Sequence, residues 1–181
     1  YNFFSARFFS AFDMDLDYKP DVVMVTDVKK SVYTILDINT DCVQIAGRLR
    51  GGFNSLTHIL TTDDAIASPK QSELEETIKL QENAYNYIRS LYDNAPSEIA
   101  KKILDETMRS NPFNNLIYPS GAKNYFAIDN YINEYLVKGL YQDFERIREA
   151  YMNSDMFIPK FKEHIHPYTE EDRLIVKRAN Y

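Results

Sequence analysis

The sequence predicts a mixed fold: an α/β segment holding part of a parallel sheet over about residues 1–62, then a mostly α-helical region with a small β-hairpin. Three observations predict it. Val22-Val23-Met24-Val25 is an unbroken run rich in β-branched residues, the pattern of a strand buried on both faces of a parallel sheet. A second strand-like run, Thr57-His58-Ile59-Leu60-Thr61-Thr62, follows after one helical segment, which gives the strand, crossover helix, strand order of a parallel pair. Beyond residue 70 the apolar residues recur at helical spacing instead.

Taken in order, Tyr1 to Ser5 reads as a further strand. The crossover helix spans about Thr40 to Arg50, with Thr40 or Asp41 as its cap and Gly51-Gly52 as its end. Residues 63–69, DDAIASP, mark a boundary, so the chain divides into units at 1–65 and 66–181. Ser68-Pro69 has the form of a helix start. Leu74, Ile78, Gln81, Tyr85, Ile88 and Tyr92 then repeat at 4-3-4-3-4 spacing, one stripe of an amphipathic helix ending near Asp93-Asn94. Ser97 caps a helix over about Glu98 to Arg109. Leu116-Ile117-Tyr118, a PSGAK turn and Tyr125-Phe126-Ala127-Ile128 predict the hairpin. Helices follow at about 130–138 and 140–153, and another from near Thr169.

Composition narrows the function classes. Hydrophobic residues make up 44% of the 181, and charged residues 27%, the balance of an ordinary globular chain. The formal net charge is -6, which excludes a basic coat for nucleic acid over the whole surface. Residues 1–62 carry six Lys and Arg against seven Asp and Glu, and residues 63–181 carry fifteen against twenty. The helical region is the more acidic part and a poor nonspecific phosphate clamp. The single cysteine, Cys42, cannot form an intrachain disulfide, fits a reducing compartment and leads us to expect a cytoplasmic location. It reads as a small core residue. No apolar run approaches the roughly 18 residues of a membrane span, so no membrane partner is expected. His164 and His166 lack cysteine partners and read as loop residues, and no metal site is expected. The tyrosines of 85–151 fall mostly at helical spacing and read as core. The chain opens inside an apolar segment, YNFFSARFF, and reads as the later part of a longer protein.

The segment that carries chemistry is Gln44-Ile45-Ala46-Gly47-Arg48-Leu49-Arg50. On a helix Gln44 and Arg48 share a face, and Gly47 lets another backbone come close. Two always-charged guanidiniums on an otherwise apolar helix call for an anion, and their forks suit phosphate oxygens. The plainer alternative is a helix end decorated with solvated cations that complement its dipole. For Asp13 and Asp15 the plainer alternative is a solvated turn.

This segment resembles motif VI of the superfamily 2 helicases of DEAD/DEAH type, Q-x-x-G-R-x-x-R. Gln44, Gly47 and Arg48 match in register, while Gly51 stands where the last arginine falls and Arg50 comes one residue early. Upstream, SARFFSAFDMD resembles motif V, T-S-x-x-x-x-G-x-D-I, with Ser5 for threonine, Ala11 for glycine, Asp13 matching and Met14 at the apolar position. The resemblance covers about residues 1–62 and implies the C-terminal part of a second RecA-like lobe. It implies catalytic roles for Arg48 and Arg50, one of them the arginine finger on the γ-phosphate. It implies ATP and interlobe contacts for Gln44, Gly47 and Asp13, and a nucleic-acid contact for Ser5. ATP and Mg2+ would be bound mainly by an upstream helicase lobe, which carries the phosphate loop and the metal-binding carboxylates. DNA or RNA would be the polymer partner. This chain by itself is expected to hydrolyse nothing. A second reading, from a different class, is a noncatalytic module whose helical region binds a protein partner, the α/β part being a degenerate remnant.

Overall fold

The structure, a computed structural model, describes residue 4 and residues 13–164. Among the described residues there are five α-helices and one two-stranded parallel sheet. The fold is mixed α/β and mostly helical. The strand expected over Tyr1 to Ser5, residue 4 apart, and the helix expected from near Thr169 lie outside the described residues.

Strand β1 (Asp21–Thr26) pairs in parallel with β2 (Ser55–Leu60), Asp21 opposite Ser55 and Thr26 opposite Leu60, and α1 (Asp41–Gly47) lies in the connection. The expected strand, helix, strand order is therefore present. One part of that expectation fails. Val23, Val25 and Ile59 point to an outer face and are 57%, 58% and 56% exposed, so β1 is buried on one face only. The inner face carries Val22, Met24 and Leu56, which pack on Leu36, Cys42 and Ile45. In a sheet of two strands, one layer of helix and loop covers one face and leaves the alternate residues in solvent.

Helix α1 is shorter than expected. It ends at Gly47, with Arg48 as its C-cap, because Leu49 leaves the helix to pair in parallel with Met14. Gly52, at φ +78°, then turns the chain toward β2, a backbone state that glycine adopts without cost.

Helix α2 (Gln71–Asp93) buries Leu74 and Ile78 and half-buries the remainder of the sequence-marked stripe. It starts after Lys70 rather than at Ser68. The Glu73 carboxylate accepts the Lys70 N–H at 2.9 Å, which serves as the start signal. Ser68 packs against Gly139, where an added Cβ would come within 2.9 Å of its Oγ and 3.1 Å of its Cα. Helix α3 (Glu98–Ser110) begins where expected, with Ser97 Oγ accepting the Ala100 N–H.

The expected hairpin is half present. Ile117 and Lys123 form an antiparallel bridge, but Tyr125 to Ile128 opens helix α4 (Tyr125–Leu140). Asn124 Oδ1 accepts the Ala127 N–H, and a cap at that point commits the following residues to a helix. Ala127, Ile128, Tyr131 and Ile132 then share one face against Ile78, Phe113 and Leu116. Helix α5 (Phe144–Met152) starts at the Asp143 cap.

A third cluster crosses residue 65. Val28 and Ile38, from the α/β part, pack with Ile66, Tyr141, Ile147 and Tyr151. Its polar complement is a continuous relay. Thr26 Oγ1 donates to the Thr34 carbonyl at 2.9 Å, so it accepts from His58 Nε2–H at 2.9 Å. His58 Nδ1 is left to accept the Tyr151 hydroxyl at 2.7 Å, and the Cys42 thiol, 3.6 Å from the Tyr151 oxygen, completes the chain. Every member is satisfied with the imidazole neutral.

That arrangement sets a pH dependence. Burial lowers His58 from 6.5 to about 4, so between those values the unfolded chain binds the extra proton. The contribution is fully present above pH 6.5 and is lost as pH falls through 4, a total of about 3 kcal/mol. Urea unfolding at a series of pH values should show this slope, and His58→Gln should flatten it. An equal slope in the variant would assign it to other groups.

Candidate functional site

Pairing of Met14 with Leu49 builds the site. Met14 N–H donates to the Arg48 carbonyl at 2.8 Å, and Arg50 N–H donates to the Met14 carbonyl at 3.0 Å. Arg48 keeps a helical backbone as the cap of α1, at φ -71° and ψ -15°, and the chain leaves the helix at Leu49, the residue bridged to Met14. Leu49 points inward and is 6% exposed. Arg48 and Arg50 both point outward, to Asp13. On a continuous helix the two arginines would diverge.

Arg48 Nη1 donates to Asp13 Oδ1 at 3.0 Å. Arg50 Nε donates to Asp13 Oδ2 at 3.0 Å, and Arg50 Nη2 to the same oxygen. Arg50 gives the nearer approach to a two-pronged grip, and Arg48 holds the other oxygen. The Arg50 and Arg48 guanidiniums hold the Asp13 carboxyl below the usual carboxylate range. The carboxylate contributes stability above its ordinary pKa of 3.8 and loses it as pH falls through the lowered value, so at neutral pH the cluster is fully ionised. Among the described residues the two guanidiniums meet on the one Asp13 carboxylate. The side chains are partly solvent-accessible, 32% for Arg48, 63% for Arg50 and 37% for Asp13, so an incoming anion can reach them.

Gln44 is exposed on α1, and its backbone carbonyl accepts the Arg48 N–H at 3.0 Å. Gly47 is exposed as well, and an added Cβ would meet nothing within 4 Å. Among the described residues none makes the close backbone approach expected at Gly47. Gly47 and the arginines therefore lie at the C-terminal end of α1, with Gln44 one turn before Arg48. Gly51, where the family pattern has its last arginine, sits against the Leu16 carbonyl, 3.4 Å from a built Cβ.

Comparisons with models of known protein families, with curated proteins and with solved structures give no match.

Of the residues singled out in the sequence, Asp13, Arg48 and Arg50 meet directly, and Gln44 and Gly47 adjoin them. Ser5 lies outside the described residues. Among the described residues no group of three or more His, Cys, Asp or Glu is arranged to hold a metal ion. Sequence reasoning missed Met14 and Leu49 as the organisers of the site. The one local signal was the Gly51-Gly52 pair just beyond, which ends the helix near Leu49 without naming its partner.

Proposed function

We propose that this chain is the C-terminal part of an ATP-dependent nucleic-acid helicase or translocase, its α/β segment belonging to a RecA-like second lobe. The observation that carries the reading is the convergence of Asp13, from the motif V-like segment, on Arg48 and Arg50, from the motif VI-like segment. Two stretches matched separately in the sequence meet through one backbone pairing. The bare outer face of the sheet supports the same reading, since parallel sheets are ordinarily covered on both faces and this one has room for more chain.

On this reading ATP is held by an upstream lobe, and lobe closure brings its γ-phosphate to the arginines. ATP and Mg2+ supply the transferable phosphoryl group and its charge neutralisation. The residues of this chain bind and orient: Arg48 and Arg50 offer guanidinium N–H groups to phosphoryl oxygens, and Gln44 and Gly47 offer an uncluttered surface to the other lobe. Asp13 holds one guanidinium on each of its oxygens before the phosphate arrives, so it acts as a positioning residue. Asp13→Ala in the intact parent should lower nucleic-acid-stimulated kcat by about 10- to 100-fold through loss of that alignment. The Kd for ATP should change much less. Unchanged kcat would remove Asp13 from the site.

The second reading, a noncatalytic protein-binding module, is favoured by a different feature of the same cluster. Asp13 already satisfies much of both guanidiniums, as an internal structural ion pair would. That module would tolerate loss of either arginine with no effect on hydrolysis by the parent.

A further inference from the structure

Helix α2 carries a second apolar stripe, separate from its buried one. Leu80, Ala84, Tyr87 and Leu91 recur at 4-3-4 spacing, and Leu80, Tyr87 and Leu91 are 62%, 67% and 43% exposed. Helix α3 returns antiparallel after a four-residue link and continues the surface. Leu80, Ala84 and Ile88 line a shallow hollow with Thr107 and Pro112. One and two turns before Thr107 on the same strip of α3 stand Ile103 and Ile99, themselves large and exposed. Five large apolar side chains thus lie bare along one side of a helical hairpin, a concentration that marks an association surface.

We infer that this face of the α2–α3 hairpin binds a second copy of the chain, α2 against α2 in antiparallel orientation about a two-fold axis. Two observations select that occupant. The stripe is symmetric end to end. Reversed against itself it sets Leu80 opposite Leu91 and Ala84 opposite Tyr87, so large residues meet at the ends and a small one receives the ring near the axis. An isologous two-fold contact requires this self-complementarity. Between Leu80 and Leu91 the stripe, with Asn83 and Ser90 beside it, is also uncharged, and Glu76 lies one turn beyond its end, in a chain of formal net charge -6. Two copies of an acidic protein can approach there without opposing carboxylates, and interface cores are depleted of charge in this way. The two hairpins together form a four-helix arrangement with the stripe as its shared core.

Sedimentation velocity of the 181-residue chain over a concentration series tests this. The expected result is a dimer. Leu80→Glu with Tyr87→Glu should weaken it at least ~10-fold, with an unchanged circular dichroism spectrum because both side chains are exposed. Mixing Ala84→Cys chains with Tyr87→Cys chains under mild oxidation should give a mixed disulfide in excess of either homodimer. The native Cys42 is buried, with its thiol pushed up to about 11, and stays out of the reaction. A monomer at every concentration would overturn the inference. So would a dimer indifferent to the glutamates, as would Ala84→Cys chains linking preferentially to each other.

Discussion

Arg48→Ala in the intact parent protein should reduce nucleic-acid-stimulated ATP hydrolysis by about 10³-fold or more, the scale set by loss of an arginine finger. ATP binding should be largely kept. On the proposed reading the arginines would meet charge that grows as the phosphoryl group transfers, whereas ground-state affinity would come mainly from the lobe that holds the phosphates. Arg48 is the first choice because it is the less exposed of the pair and matches the motif in register. Arg50 makes the fuller contact with Asp13, so the two variants should be measured side by side and then combined. Residues acting as one unit are strongly non-additive, so the double variant should be little worse than the worse single one. Activity unchanged in both single variants would refute the finger role and leave the ion pair a structural one.

The largest expected stability effect is at Tyr141. Its side chain is fully buried in the core shared by Val28, Ile38, Ile66, Ile147 and Tyr151, and its hydroxyl donates to the Leu36 carbonyl at 2.7 Å. Burial pushes the phenol above its ordinary pKa, so it remains a donor at neutral pH. Tyr141→Ala removes an aromatic ring from a site tied into both parts of the chain, at an expected cost of about 3–5 kcal/mol. That is a large share of the roughly 5–15 kcal/mol of a typical domain. Tyr141→Phe keeps the ring and leaves the Leu36 carbonyl without its partner, for about 1–3 kcal/mol. Urea unfolding of the three proteins separates packing from hydrogen bonding. Equal losses in both variants would mean that the hydroxyl, not the ring, dominates.

Much of the fold was legible because local chemistry and tertiary structure agree. The β-branched run at 22–25 and the strand near 57–62 paired in parallel as expected. Ser97 and the 4-3-4-3-4 stripe placed α2 and α3. The misreadings share a cause: a local pattern was overruled by a partner distant in sequence. Leu49 follows a helix and was read as helical, yet Met14, 35 residues earlier, draws it into an extended pairing. Tyr125 to Ile128 is a short unbroken apolar run and so passes for a strand, but the Asn124 cap and the Ile78–Phe113–Leu116 cluster make it helical. The His58–Tyr151 contact joins residues 93 apart and has no local signature at all. For the candidate site, the identities of Asp13, Arg48 and Arg50 were readable. Their convergence on one carboxylate was not, because it depends on a register between two loops.

The central claim is that this cluster is one half of a two-part ATP site, and the native polypeptide tests it most directly. Its intact mass and the peptide sequence preceding Tyr1 should be determined. The account predicts an upstream lobe carrying a G-x-x-x-x-G-K-[ST] phosphate loop and a D-E-x-[DH] metal motif. A native polypeptide lacking both would leave Arg48 and Arg50 no nucleotide to meet and would contradict it.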